Sequence, residues 1–179
     1  AILLRYFNPV GAHPSGIIGE LPIGRPANLV PAITQTAAGK LPQMQVFGDD
    51  YPTRDGSCIR DFIHVCDIAH AHTLSLQYLI AEKETEKCEV FNLGSGNGVT
   101  VLEAIHAFEK ISGMPLNYVI GPRRPGDVVA IYANNDLARN KLGWNPKFSL
   151  DDMLATAWRW EQKIKIDETF YNSKFSELN

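Results

Sequence analysis

The chain is short of cysteine: Cys58, Cys66 and Cys88 are the only three, and no CxxC pair occurs. An odd, widely spaced set does not make a disulfide framework, so buried, reduced thiols in a cytoplasmic protein are expected. The five histidines contain no HxxxH pair. His70 and His72 are two apart and face different sides of a helix, so no zinc or iron site is expected. No apolar run reaches the ~20 residues of a transmembrane helix. Ala1-Ile2-Leu3-Leu4 has no positive region or cleavage site beside it and does not read as a signal peptide. An excess of positive charge is missing too. Lys and Arg number 17 against 20 Asp and Glu, for a net charge of −3. That argues against a general nucleic-acid binder, but one anionic ligand held by a few local arginines stays compatible. There are no internal repeats and no low-complexity segments.

What remains is ordinary for a single globular domain: 179 residues, 45% hydrophobic and 21% charged. Ala1 to Leu4 leads into Tyr6-Phe7-Asn8 and breaks at Asn8-Pro9, which reads as a buried strand reaching a sheet edge. Ligands collect at the carboxyl ends of such strands in α/β proteins. A buried strand with nothing before it is a poor start for a domain, so a preceding part is expected. A long loop rich in Gly and Pro follows, of the kind that often binds. Asn28 is placed to cap a helix from Leu29, with Pro31 in its first turn and Gly39 at its end.

Met44–Phe47 and Cys58–Val65 read as strands, the second carrying Arg60, Asp61 and His64. Asp67 opens a helix with Ile68, Ala71, Ser75, Leu76 and Leu79 on one face. Glu82 to Glu86 reads as a solvated charged loop. Cys88–Leu93 reads as a strand, and Thr100-Val101-Leu102-Glu103 is a capping box for a helix that ends near Gly113. Leu116–Ile120 is a strand and Val128–Tyr132 is extended. Asn134 or Asn135 caps a short helix stopped by Gly143. Ser149 caps a last helix whose stripe of Leu150, Met153, Leu154, Ala157, Trp158 and Ile164 reads as core. Phe170 to Asn179 reads as a frayed tail.

Two features invite a chemical reading. Gly94-Ser95-Gly96-Asn97-Gly98 follows a strand and precedes a helix, like a dinucleotide loop. Val99 stands where GxGxxG needs its third glycine, so a structural tight turn is expected. Arg60 sits in a strand between apolar neighbours, and an unpaired buried guanidinium is expensive. Its partner is either Asp61, Asp67 or Asp127 in a salt bridge, or a bound anion shared with Arg123-Arg124. The residues alone leave both open.

Several stretches occur together in one order: Arg5-Tyr6-Phe7-Asn8-Pro9, Gly11-Ala12-His13-Pro14-Ser15-Gly16, Phe47-Gly48-Asp49-Asp50-Tyr51, Asp55-Gly56, Ile59-Arg60-Asp61-Phe62-Ile63-His64-Val65, Asn92-Leu93-Gly94-Ser95-Gly96 and Arg123-Arg124-Pro125-Gly126-Asp127-Val128. Over nearly its whole length the chain resembles the C-terminal half of the UDP-glucose 4-epimerases, within the extended short-chain dehydrogenase/reductase family. The resemblance implies an α/β fold, with strands that complete a Rossmann-type, doubly wound sheet. It implies an isomerase of galactose metabolism, cytoplasmic, that interconverts UDP-glucose and UDP-galactose at C4 with tightly bound NAD. It also implies the roles of individual residues. Arg60 and Arg124 would hold the UDP diphosphate, as planar guanidinium suits two phosphate oxygens. Asn8 would hydrogen-bond the nucleotide sugar nearby, and Asn28 and Leu29 would meet the phosphates at a helix start. Gln45, Val46 and Phe47 would receive uracil, with Phe47 flanking the base. Asp127 would bind the ribose hydroxyls, and Ile131 would tune sugar specificity. Tyr6 and Phe7 would lie beside the nicotinamide end of NAD. Two positions depart from the pattern: Ala27-Asn28 replaces a pair of asparagines, and Gln45 replaces a small or amide residue.

The chemistry itself would need a tyrosine with a lysine four residues on, and a GxxGxxG loop for NAD. The chain contains neither. All 179 residues are therefore expected to form the UDP-sugar-binding portion, inactive alone, with no metal, nucleic-acid or membrane partner. A homodimer is compatible with the full-length enzyme. A dehydratase or decarboxylase of the same superfamily, and a non-catalytic sugar-nucleotide binding module, stay open as alternatives.

Overall fold

The computed structural model describes residues 1–22, 24–83 and 86–175, with side chains through residue 167. Its strands form four pairs, three parallel and one antiparallel. β1 (Ile2–Tyr6) and β2 (Asn8–Val10) are consecutive but have different partners. The Phe7 N–H donates to Leu93 O at 3.1 Å, while the Asn8 N–H donates to Asp61 O at 3.0 Å. The expected break at Asn8-Pro9 is therefore a change of neighbour, not an end. β1 lies parallel to β6 (Glu89–Leu93), and β2 lies parallel to β5 (Phe62–His64). β1 is not buried as expected: Leu3 is 53% and Tyr6 45% exposed. Helix α2 (Val65–Ile80) covers the face that carries Ile2 and Leu4, which leaves Leu3 uncovered.

β3 (Met44–Phe47) pairs in parallel with β8 (Tyr118–Gly121), and β4 (Ile59–Arg60) pairs antiparallel with β7 (Val99–Thr100). The single strand expected over 58–65 thus divides at Asp61. The reason is that side chain. Fully buried, the Asp61 carboxylate accepts the Ser95 N–H at 2.7 Å, the Ser95 hydroxyl at 2.6 Å, the Gly96 N–H at 3.0 Å and the Ala133 N–H at 2.9 Å. It gathers the glycine turn and the segment around Ala133 into one junction. A Cβ at Gly94 would stand 2.3 Å from Asp61 Oδ2. The glycine turn is structural, as its spacing indicated.

The helices follow the periodicity closely. α1 (Leu29–Ala37) starts where expected, but the Asn28 side chain does not cap it. Asn28 Nδ2 donates instead to Glu20 Oε1 at 3.2 Å. α2 (Val65–Ile80) starts two residues early because His64 takes the cap, its Nδ1 accepting the Cys66 N–H at 3.0 Å. Buried Asp67 is freed to accept the Lys147 and Phe148 N–H groups, at 3.0 and 3.2 Å. α3 (Val101–Ser112) carries the expected capping box and ends on left-handed Gly113. A π-helical turn (Ala138–Leu142) replaces the expected short helix. Asn134 Oδ1 still accepts the Asp136 N–H ahead of it, at 2.9 Å. α4 (Leu150–Phe175) is capped by Ser149 and runs on where a tail was expected, while 176–179 lie outside the described residues. So do 84 and 85 of the expected charged loop.

One core lies among α1, α3, α4 and β3, around Ile33, Val46, Ile105, Phe108 and Leu154. Trp158 meets Phe108 edge-on at 5.5 Å, the packing role its helical spacing indicated. A second core holds Ile63, Phe91, Leu93 and Trp144 beneath α2. The long loop after β2 is pinned to α4: Trp160 Nε1 donates to Glu20 O at 2.8 Å and Arg159 Nη1 to Pro14 O at 2.6 Å. The three cysteines are free, but only Cys58 is buried, and Cys88 is exposed. Among the described residues no helix is long and apolar enough to cross a membrane.

The α3 cap carries a pH dependence. Arg54 donates from Nε and Nη2 to the two Glu103 carboxylate oxygens, and the Thr100 N–H donates to Glu103 at 2.9 Å. The Arg54 bond, more than any other, pulls the Glu103 pKa from 4.5 down to about 2. A depressed carboxylate stabilises the fold above its unfolded pKa. That contribution should be lost as pH falls from about 4.5 toward about 2. Glu103 is 41% exposed, so the loss should stay under about 1 kcal/mol. Melting curves of wild type and Glu103→Gln should converge across this window; a constant gap would show that the ion pair is not responsible.

Candidate functional site

A cavity of about 460 Å³ opens where β2, the segment 25–30, β3, β4 and the loop after β8 meet. Asn8 reaches it from the start of β2, Asn28 and Leu29 from the start of α1, and Gln45, Val46 and Phe47 from β3. Arg60, Arg124 and Asp127 line it from β4 and the loop after β8. Segments more than a hundred residues apart in sequence are thus brought to one wall.

Tyr6 and Phe7 point to opposite sides of the strand. Successive side chains on a strand point to opposite faces. Phe7 lines the cavity and Tyr6 does not. Tyr6 shares the phase of Ile2 and Leu4, toward α2, where its hydroxyl meets His72 Nε2 at 3.2 Å. His72 Nδ1 lies 2.9 Å from Ile68 O and so carries the proton, which leaves Nε2 to accept from Tyr6. Ile131 also lies outside the cavity lining. It is 45% exposed, with its N–H held by Ile59 O at 3.2 Å.

The charged wall is built on Asp127. Arg60 Nη2 donates to Asp127 Oδ1 at 3.1 Å, and its Nη1 donates to Ile59 O at 2.8 Å and Val128 O at 3.0 Å. Arg124 grips the same carboxylate from Nη2 to Oδ1 at 2.9 Å and from Nε to Oδ2 at 3.2 Å. Of the three candidate carboxylates for Arg60, Asp127 is the partner, since Asp61 and Asp67 are occupied by backbone N–H groups. Bonding to Asp127 raises the Arg124 pKa above its ordinary value. Arg60 is tightly held at 15% exposure, whereas Arg124 is 52% exposed and its guanidinium carbon lies 5.4 Å from the Phe47 ring centroid. Arg123 turns aside, donating to Asp50 Oδ1 at 2.7 Å and lying over the Tyr51 ring at 4.1 Å. Two arginines held on one carboxylate, one of them over an aromatic ring, can bind a planar base and an anionic chain attached to it.

Two ionisable lining residues are not among the site residues expected from the sequence. Cys58 is buried beside Arg60, and burial raises its thiol pKa. Arg25 lies in the Gly/Pro loop, three residues before Asn28, where composition alone marks only a loop. Among the described residues no group of three or more His, Cys, Asp or Glu could hold a metal ion.

The family model described as GDP-mannose 4,6 dehydratase matches residues 1–157. The chain belongs to that family. A UDP-glucose 4-epimerase of Schizosaccharomyces pombe is 52% identical over 163 residues, covering 91% of this chain and 45% of that protein. UDP-glucose 4-epimerase 3 of Oryza sativa subsp. japonica is 51% identical over 162 residues, 90% of this chain and 43% of that protein. The crystal structure of the Stenotrophomonas maltophila UDP-glucose-4-epimerase, with bound NAD and formylated UDP-arabinopyranose, matches with a TM-score of 0.89 at 49% identity. The match covers 93% of this chain and 48% of that one. The Bifidobacterium longum enzyme in complex with NAD+ and UDP matches at 0.85 and 49% identity, over 90% of this chain and 47% of that one. The chain therefore spans less than half the length of the curated relatives it matches. The likeness to the UDP-glucose 4-epimerases carried by the motifs is upheld. The α/β fold is that of the C-terminal part of those structures.

Proposed function

We propose that residues 1–179 form the UDP-sugar-binding portion of an NAD-dependent enzyme that interconverts UDP-glucose and UDP-galactose. The observation that carries this reading is the Arg60–Asp127–Arg124 cluster on the wall of a cavity that Phe47 also lines. In this reading uracil lies along Gln45, Val46 and Phe47, and the diphosphate meets Arg60 and Arg124. Asn8, Asn28 and Leu29 border the phosphates. Asp127, having oriented both arginines, keeps acceptor capacity for the ribose hydroxyls, because a carboxylate offers about four lone-pair sites. NAD, when bound, would accept and return the hydride at sugar C4. Phe7 offers the nicotinamide an apolar wall, a fit supported by its place in the cavity lining. Tyr6 contributes from the other face of the strand, held by His72. The proton acceptor and the main NAD loop would come from outside these residues, since the chain contains neither YxxxK nor GxxGxxG. The reading includes a cytoplasmic location and, for the full-length enzyme, a homodimer, with Ile131 acting on sugar specificity from beyond the cavity.

The test is product analysis. Full-length protein incubated with UDP-galactose should yield UDP-glucose, and the 179-residue chain purified from a host lacking its own epimerase should yield none. Turnover by the chain alone would overturn the division of labour. A dehydrated or decarboxylated product from the full-length protein would move the reading to another reaction of the superfamily.

A further inference from the structure

The cavity holds one cation that no described residue uses. Arg60 and Arg124 both spend their guanidinium groups on Asp127, and Arg60 adds two backbone carbonyls. Arg25 lines the same cavity from the loop before α1 and makes no hydrogen bond or ion pair with any described residue. The ionisable groups on the wall are Arg25, Arg60, Arg124, Asp127 and Cys58. The Cys58 thiol stays neutral, its pKa raised by burial. Asp127 cancels one of the three arginines. Without Arg25 the wall would balance a single negative charge; with it, two. A sugar nucleotide carries one negative charge on each of its two phosphates.

We propose that Arg25 is a further ligand-binding residue, supplying the charge that matches the second phosphate of a pyrophosphate-linked nucleotide. The proposal deepens the UDP-sugar reading and rests on it. Arg25 is exposed, so its contribution is screened by salt and read most clearly at low ionic strength. Having no partner among the described residues, it should contribute little to folding.

The experiment is calorimetric titration of full-length wild type, Arg25→Ala and Arg25→Lys with UDP, UMP and a UDP-hexuronate. The expected result for Arg25→Ala is roughly tenfold weaker UDP binding and less than about twofold change for UMP. Arg25→Lys should recover most of the loss, and melting curves should superimpose. Equal losses for UDP and UMP, or none for either, overturn the proposal. A loss confined to the UDP-hexuronate also overturns it, since that would put Arg25 on the sugar. Wild type that binds neither UDP nor UMP overturns the UDP-sugar reading itself, and this proposal with it.

Discussion

Arg124→Ala in the full-length protein should weaken UDP binding by roughly 10- to 150-fold, the equivalent of about 1.5–3 kcal/mol for a charge-assisted hydrogen bond. It is the cleaner of the two arginine tests. Arg124 is 52% exposed, so its removal empties little core. It also leaves Asp127 paired with Arg60. Arg60→Ala should weaken binding at least as much, but at a structural cost. Its guanidinium ties Ile59 O, Val128 O and Asp127 together, and Asp127 is only 10% exposed. Bound NAD should be nearly unchanged in both variants. Equal UDP affinity for wild type and both variants, measured by calorimetric titration, would show that the diphosphate lies elsewhere.

Asp61→Ala should damage the fold itself. The Ser95 and Ala133 N–H groups would lose their acceptor in a poorly hydrated junction. At about 1–3 kcal/mol for each, the cost is about 2–6 kcal/mol, a large part of the ~5–15 kcal/mol that holds a domain together. The glycine turn and the segment around Ala133 would separate, and with them the β4–β7 pairing behind Arg60. Asp61→Asn keeps one acceptor oxygen and should cost less. Circular-dichroism melting measures both; a melting temperature for Asp61→Ala equal to wild type would refute the central role given to this carboxylate.

Both predictions concern residues whose type was legible in the sequence and whose partners were not. Arg60 was visibly a strand guanidinium in need of an anion, but three carboxylates were equal candidates. The choice fell on Asp127, 67 residues away, because β4 happens to run beside the Val128–Ala130 segment. In the sequence Asp61 is only one of those candidates, and its real role follows from the glycine turn packing against it. Tyr6 and Phe7 looked like a pair because they are adjacent. The strand alternation that separates them was available, yet its outcome depended on which face α2 covers. Arg25 had no signal, since nothing local marks a loop arginine as lining a cavity.

What the sequence determined by itself was local and periodic. The 3.6-residue stripes placed α2 and α4, the Thr100–Glu103 capping box started α3, and the misplaced third glycine identified the 94–98 turn as structural. The ordered motifs tied the chain to its relatives. Each depends on neighbours within about one or two helical turns, where spacing dictates geometry. Tertiary structure decided the rest: the division of the 58–65 strand at Asp61, the transfer of the α2 cap to His64, the assignment of Asp127 to two arginines, and the exposure of one face of β1. Those outcomes depend on which strands and loops become neighbours across the fold. A hydrogen-bond partner is set by proximity in space, and adjacency of distant segments is the property that local spacing does not encode.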